Sequence, residues 1–199
     1  MTKRNKTPKQ NTKVAPPELG LAIQMIIKYI GDDYNREGVQ ETPLRVLKSF
    51  QQIYSGYHID PKSIFKTFDN DSKYNSMIIC KDIEFYSMCE HHMLPFFGKA
   101  HVAYIPNGKI IGLSKLARLT DVFSRRLQNQ ERLTEQIAKE LFEGLKPLGS
   151  GVIMEGKHFC MMSRGVQKQN SCMTTSSLYG IFREPHVKSE FIELTKKGN

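Results

Sequence analysis

Two short segments hold most of the side chains that could bind a metal or move a proton. They are Cys89-Glu90-His91-His92 and His158-Phe159-Cys160. Thiolate and imidazole are the donors that Zn2+ favours. Cys89 and His92 stand in a C-x-x-H step, and Cys160 follows His92 by 68 residues. His91 and His92 are neighbours, so their side chains diverge and only one of them serves a given ion. His158 and Cys160 are two apart, which on a strand puts both on one face. One could then bind the metal while the other reaches what the metal holds. The economical set is Cys89, His92 and Cys160, with the fourth position open to water as in catalytic zinc sites. His91 and His158 are then free for proton transfer. A closed structural site built from Cys89, His92, His158 and Cys160 fits the spacing equally well. Buried thiols and histidines with no metal are the third reading. Cys80 and Cys172 have no such neighbours and read as packing or surface thiols, and His58, His101 and His186 are isolated.

Cations and polar groups flank these segments. Ser114-Lys115-x-x-Arg118 opens a helical pattern, whose free N–H groups suit an anion. Arg164-Gly165 follows Cys160 closely, and Arg45 and Lys48 are three apart on one helix face. Together they suggest a polyphosphate, although each alone reads as a solvated cation. Glu131, beside Gln130 at the start of a long helix, is favoured there by the helix dipole. A carboxylate at that place could also accept two N–H bonds from the N1 and 2-amino edge of guanine.

The elements that must position these groups show in the periodicity. Helical spacing covers Glu18 to Ile30 and starts again at Thr42-Pro43. It returns from Ser114 to Leu127 and from Gln130 to Leu145. Strands are predicted over Met77 to Phe85, Lys99 to Ile105, Ile110 to Gly112, Gly151 to Phe159 and Leu178 to Phe182. Pro106-Asn107-Gly108 predicts a hairpin between the second and third of these. Residues 57–76 read as an irregular connection. The order predicts an α+β fold with a largely antiparallel sheet.

The chain has 199 residues, of which 39% are hydrophobic and 25% charged. That is ordinary globular composition, expected to form one main domain over residues 18–199. Within it, residues 18–76 are expected to be the helical part and 77–199 the sheet-and-helix part. No apolar run suits a membrane span or a secretory signal, so a reducing, cytoplasmic setting is expected. The net charge is +9, but Lys3, Arg4, Lys6, Lys9 and Lys13 supply five of those charges. Residues 1–17 are therefore expected to be a disordered basic tail. Specific nucleic-acid binding is not expected, because the Cys/His clusters lack the pairwise spacing of a zinc finger.

At this point a resemblance becomes specific. Glu-Thr-Pro-x-Arg at 41–45, Cys-Glu-His-His at 89–92, Gly-Lys-Ala-His-Val-Ala-Tyr-Ile-Pro at 98–106 and Ile-Gly-Leu-Ser-Lys-Leu-Ala-Arg at 111–118 resemble the GTP cyclohydrolase I family. So do Gln-Glu-Arg-Leu-Thr at 130–134, His-Phe-Cys at 158–160 and Arg-Gly-Val-Gln-Lys at 164–168. The resemblance runs in order over residues 18–195. It implies conversion of GTP to 7,8-dihydroneopterin triphosphate and formate, begun by zinc-activated water at guanine C8. It implies one Zn2+ per subunit on Cys89, His92 and Cys160, with His91 and His158 as proton-transfer groups. Gln130 and Glu131 would belong to the guanine pocket. Ser114, Lys115, Arg118 and Arg164, helped by Arg45 and Lys48, would meet ribose and triphosphate. The implied fold is the tunnelling fold, an antiparallel sheet with helices on one face. Its subunits ring into pentamers that stack as a homodecamer with interfacial active sites. One departure is Gln169-Asn170-Ser171-Cys172, where many members have Pro-Gly and then a basic residue. The same chemistry on dGTP, or a product feeding deazapurine rather than folate synthesis, is the neighbouring reading.

Overall fold

The computed structural model describes residues 15–196, so all but the last three residues of the expected basic tail lie outside the described residues. The chain divides into two compact units after Tyr54. The first is helical, with α1 at Pro17–Tyr29 and α2 at Thr42–Ile53. Each helix has proline in its first turn, where the missing N–H is no loss.

The second unit opens with two 3-10 turns, Ser55–His58 and Pro61–Ile64. The strands are β1 (Thr67–Asp69), β2 (Ile78–Cys89), β3 (Pro95–Ile105), β4 (Lys109–Ile111), β5 (Leu127–Gln128), β6 (Gly149–His158) and β7 (Met173–Gly180). The helices are α3 (Leu113–Ser124), α4 (Gln130–Leu145), the single turn α5 (Phe159–Met162) and α6 (Pro185–Lys196). Five strands form one sheet in the order β5-β2-β3-β6-β7, antiparallel except for the short β2–β5 pair.

The expected hairpin does not form. The turn at residues 106–108 is present, with Gly108 at φ +74, but β4 pairs with β1 instead. Both edges of β3 are already taken by β2 and β6, so no ladder position is left for β4. The Tyr104 hydroxyl accepts from the Ile111 N–H at 3.1 Å and ties β4 to β3 through a side chain. His158 and Cys160 do not share a strand face either. Strand β6 ends at His158, and Cys160 sits in α5.

Alternation along β3 sends Ala100, Val102 and Tyr104 into a core shared with α3 and α4, centred on Phe85, Phe96, Leu119, Leu133 and Ile137. Ala103 and Ile105 point the opposite way, where Phe182, Val187 and Phe191 of the C-terminal segment cover them. Helix α6 is thus a further layer on the other face of the sheet. Pro185 at its start and the i, i+4 pair Val187/Phe191 were its sequence signal. The Asn129 side chain caps α4 by accepting from the Arg132 N–H at 2.8 Å.

Because Leu133 has no exposed surface, Leu133→Ala should cost about 2–5 kcal/mol in chemical denaturation. Lys139→Ala removes only a surface contact to Glu143 at 4.0 Å and should change stability by less than about 0.5 kcal/mol.

Candidate metal centre and nucleotide site

Strand β2 delivers Cys89 at its last residue, and the chain then turns back tightly into β3. The Met93 N–H reaches the Cys89 carbonyl at 2.8 Å, and the Cys89 N–H reaches the Leu94 carbonyl at 2.8 Å. Met93 takes a positive φ of 52°, unusual for a side chain of its size. The turn is fixed from outside as well. Glu90 forms an ion pair with Arg132, accepts from the Asn129 amide at 3.2 Å, and donates its N–H to the Gln128 carbonyl at 3.0 Å. The Arg132 guanidinium holds the Glu90 carboxyl below its usual pKa. Glu90 and Arg132 stood in the sequence only as members of the Cys-Glu-His-His and Gln-Glu-Arg-Leu-Thr motifs, with no role of their own.

The ligand atoms of Cys89, His92 and Cys160 all lie within 4.8 Å of one another. Cys89 Sγ is 3.8 Å from His92 Nδ1. A tetrahedral zinc with Zn–S near 2.3 Å and Zn–N near 2.1 Å sets its donors about 3.5–3.8 Å apart, so donor set and spacing both suit that ion. Burial and the adjoining Cys89 push the Cys160 thiol up, with Arg164 pulling the other way. Two thiols driven together in this way are relieved by a shared cation. Among the described residues the group has three members. His158 is outside it, and its Nε2 faces Gln130 Oε1 at 2.9 Å. The four-residue closed site is therefore not what the geometry forms. Cys80 is half-buried against the core and Cys172 is exposed.

His91 points outward, with 64% of its side chain exposed and Nδ1 3.6 Å from Cys89 Sγ. His158 lies parallel to the buried Phe96 ring, with centroids 4.5 Å apart. Burial pulls its pKa down, and the exposed Glu131 carboxylate acts in the opposite direction. Gln130 has no exposed surface in the chain taken alone, and its side-chain oxygen faces His158 rather than solvent.

The α3 cations stand away from the end of that helix nearest the ligands. Ser114 and Lys115 open α3, and Arg118 is one turn further on. It is the other end of α3, about 17 Å along at 1.5 Å per residue, that leads into β5 beside Met88 and Cys89. Arg164 is exposed and close enough to Cys160 to influence its charge. Arg45 and Lys48 are exposed on α2 in the first unit, where Arg45 pairs with Glu41 at 2.6 Å. The loop after α5 is held by the Lys168 N–H on the Met161 carbonyl at 3.1 Å and the Ser171 hydroxyl on the Lys168 carbonyl at 3.1 Å.

This architecture and site fit a tunnelling-fold enzyme whose sheet end carries a thiol–imidazole group able to bind a metal. Residues 20–196 match the sequence profile of the family described as GTP cyclohydrolase I. A protein named GTP cyclohydrolase 1 from Leptospira biflexa is 53% identical over 178 residues, covering 89% of this chain and 97% of that protein. One of the same name from Bacteroides thetaiotaomicron is 51% identical over 181 residues, covering 91% and 92%. Among solved structures, the archaeosine synthase QueF-Like in the apo form aligns with a TM-score of 0.45 and 16% identity, covering 54% of this chain and 97% of that one. The chain belongs to the GTP cyclohydrolase I family.

Cys89→Ala, His92→Ala and Cys160→Ala should each lose tightly bound zinc, as measured by elemental analysis of the purified protein. Cys172→Ser should keep it.

Proposed function

We propose that this protein is a zinc-dependent GTP cyclohydrolase I that converts GTP to 7,8-dihydroneopterin triphosphate and formate. The observation that carries the reading is the meeting of Cys89, His92 and Cys160 within 4.8 Å in a chain of this family. These three residues would hold one Zn2+ per subunit. Bound there, it would lower the pKa of a coordinated water to about 7, so that hydroxide would be available at neutral pH.

The chain's own groups do the rest. Glu131, exposed at the first turn of α4, accepts from guanine N1 and the 2-amino group, a donor pair that adenine lacks. His158 sits between Phe96 and Gln130 and moves protons at the purine. Outward-facing His91, 3.6 Å from Cys89 Sγ, does so from the ligand turn. Ser114, Lys115, Arg118 and Arg164 bind ribose and triphosphate, and Arg45 and Lys48 add phosphate-directed charge. Holding the charged tail fixes the purine carbon relative to the metal, which is where positioning lowers the barrier.

The separation of the α3 cations from the ligands supports an active site shared between subunits. The second subunit's α3 then provides the phosphate contacts, in a ring of five that stacks into a decamer. No described helix is long and apolar enough to cross a membrane, and four free cysteines suit the reducing cytoplasm proposed for the protein.

Purified protein incubated with GTP and then oxidised should develop pterin fluorescence, with zinc measured on the same sample; zinc-loaded protein that yields none overturns the reading. His91→Ala and His158→Ala should keep zinc and lose about a hundredfold or more in turnover. Mixing the inactive Arg118→Ala and His158→Ala proteins, with subunit exchange, should restore part of the activity, because some interfaces then carry both intact halves.

A further inference from the structure

Gln130 is a buried polar side chain whose hydrogen bonds can all be given a direction. Its amide nitrogen lies 3.2 Å from the Met154 carbonyl, 2.8 Å from the Met173 carbonyl and 3.1 Å from Thr175 Oγ1. Main-chain carbonyls only accept, so the NH2 group must be the one that faces them. Oε1 is thereby turned the other way, toward His158 Nε2 at 2.9 Å. An amide oxygen also only accepts, so that ring nitrogen carries the hydrogen. In the neutral ring His158 is then the Nε2–H tautomer with its lone pair on Nδ1, which no described residue engages, and in the imidazolium the proton it gives up is the one on Nδ1.

The surroundings leave Gln130 no second arrangement. Thr134 Oγ1 donates to the Gln130 carbonyl at 2.7 Å, so at 2.6 Å it must accept from the Thr175 hydroxyl. Thr175 Oγ1 therefore has only its lone pairs to offer the Gln130 amide. Gly156 opposite completes the slot, since a Cβ there would stand 2.3 Å from Gln130 Oε1. The parallel Phe96 ring, 4° from the plane of His158, fixes the remaining rotation.

We propose that Gln130 is a positioning residue that locks His158 as the Nε2–H tautomer, so that Nδ1 is the one basic nitrogen offered to the substrate. What His158 does with that nitrogen rests on the cyclohydrolase reading; the tautomer does not. Guanine recognition falls to the exposed Glu131, and Gln130 acts only through His158.

The test uses 15N-histidine-labelled, zinc-loaded protein in solid-state NMR, with His158 assigned by the signals lost in His158→Gln. Wild type should show His158 with a protonated Nε2 and a bare Nδ1. Gln130→Met, similar in length and without a polar group, should keep zinc and show the other tautomer or a mixture. Its kcat should fall about tenfold to a hundredfold, as for other groups that orient a functional histidine, while KM for GTP stays within about threefold of wild type. Thr175→Val removes one support and should move kcat the same way by about threefold, which keeps the test open if Gln130→Met fails to fold. A wild-type His158 protonated on Nδ1 overturns the proposal. So does an unchanged tautomer in a folded Gln130→Met, or a tenfold rise in KM at constant kcat, which is the mark of a base-reading residue. If wild type makes no product from GTP, the cyclohydrolase reading fails, but a Nε2–H signal that disappears in Gln130→Met still supports the lock.

Discussion

The register of β2, β3 and β6 is the constraint on which the metal-binding group depends. Ser87 lies opposite Phe96, and Phe96 lies opposite His158. The ends of β2 and β6 are thereby drawn level on either side of β3, although Cys160 follows His92 by 68 residues in sequence. Neighbouring strands are about 4.8 Å apart, so β2 and β6 alone would leave their ends nearly 10 Å from each other. The turn after Cys89 and the single helical turn after His158 close that gap. A slip of one residue in either ladder would send Phe96 or His158 to the opposite face and disperse the group. Fixing the turn with Glu90, Arg132 and Asn129 therefore matters as much to the ligands as their own identities do.

Helix α4 is pinned by polar contacts that a purely apolar core would not require. Gln128 donates to the Phe123 carbonyl at 2.9 Å and to Gln136 at 2.8 Å, and Ser150 donates to the Ala138 carbonyl at 2.8 Å. Gln130 and Thr134 add the pairs already described. Each such group would cost about 1–3 kcal/mol if left buried and unpaired. Rotating α4 by one residue would break all of them together except the Gln128–Phe123 bond, which joins β5 to α3, whereas an apolar face would partly tolerate the change. The polar groups thus select one setting of α4, and that setting brings Gln130 beneath His158. Ser87 is the exception. Its hydroxyl is buried with no partner among the described residues, two positions before Cys89.

What could be read from the sequence was local. The Cys89/His92 step, the helix start at Gln130 and the amphipathic stripe of α4 each depend on residues a few positions apart. Strand partnership does not, which is why Pro106-Asn107-Gly108 gave the turn correctly and the partner of β4 wrongly. The His158–Cys160 spacing misled for a related reason, since period-two logic holds only while the strand continues, and β6 stops at His158. Gln130 was placed in the guanine pocket by the resemblance to the GTP cyclohydrolase I family alone. It does not show that the carbonyls of Met154 and Met173, on two other strands, claim its amide. The Cys89, His92 and Cys160 group was legible as a candidate because the chemistry it could do is carried by residue type. Gln130 was not, because its function is conferred by neighbours distant in sequence.

One chain leaves two problems that a ring of copies would solve together. The first is the sheet edge. β5 covers only Met88 and Cys89 of β2, so Ile78 to Ser87 have no strand on that side among the described residues, and β7 is open along its outer edge. Long unpaired edges invite uncontrolled association unless something covers them. The second is the site, where thiolates and imidazoles gather at one end of α3 while Ser114 and Lys115 stand at the other. Joining the β7 edge of one copy to the β2 edge of the next would satisfy both ladders, and it sets one subunit's ligand turn beside a neighbour rather than beside solvent. A triphosphate is long enough to need contacts well away from the purine, so dividing the two functions between subunits lets each remain on a rigid element of its own chain. Edge closure and site completion are then consequences of one contact, and a substitution that weakens the ring would weaken phosphate binding without touching a ligand.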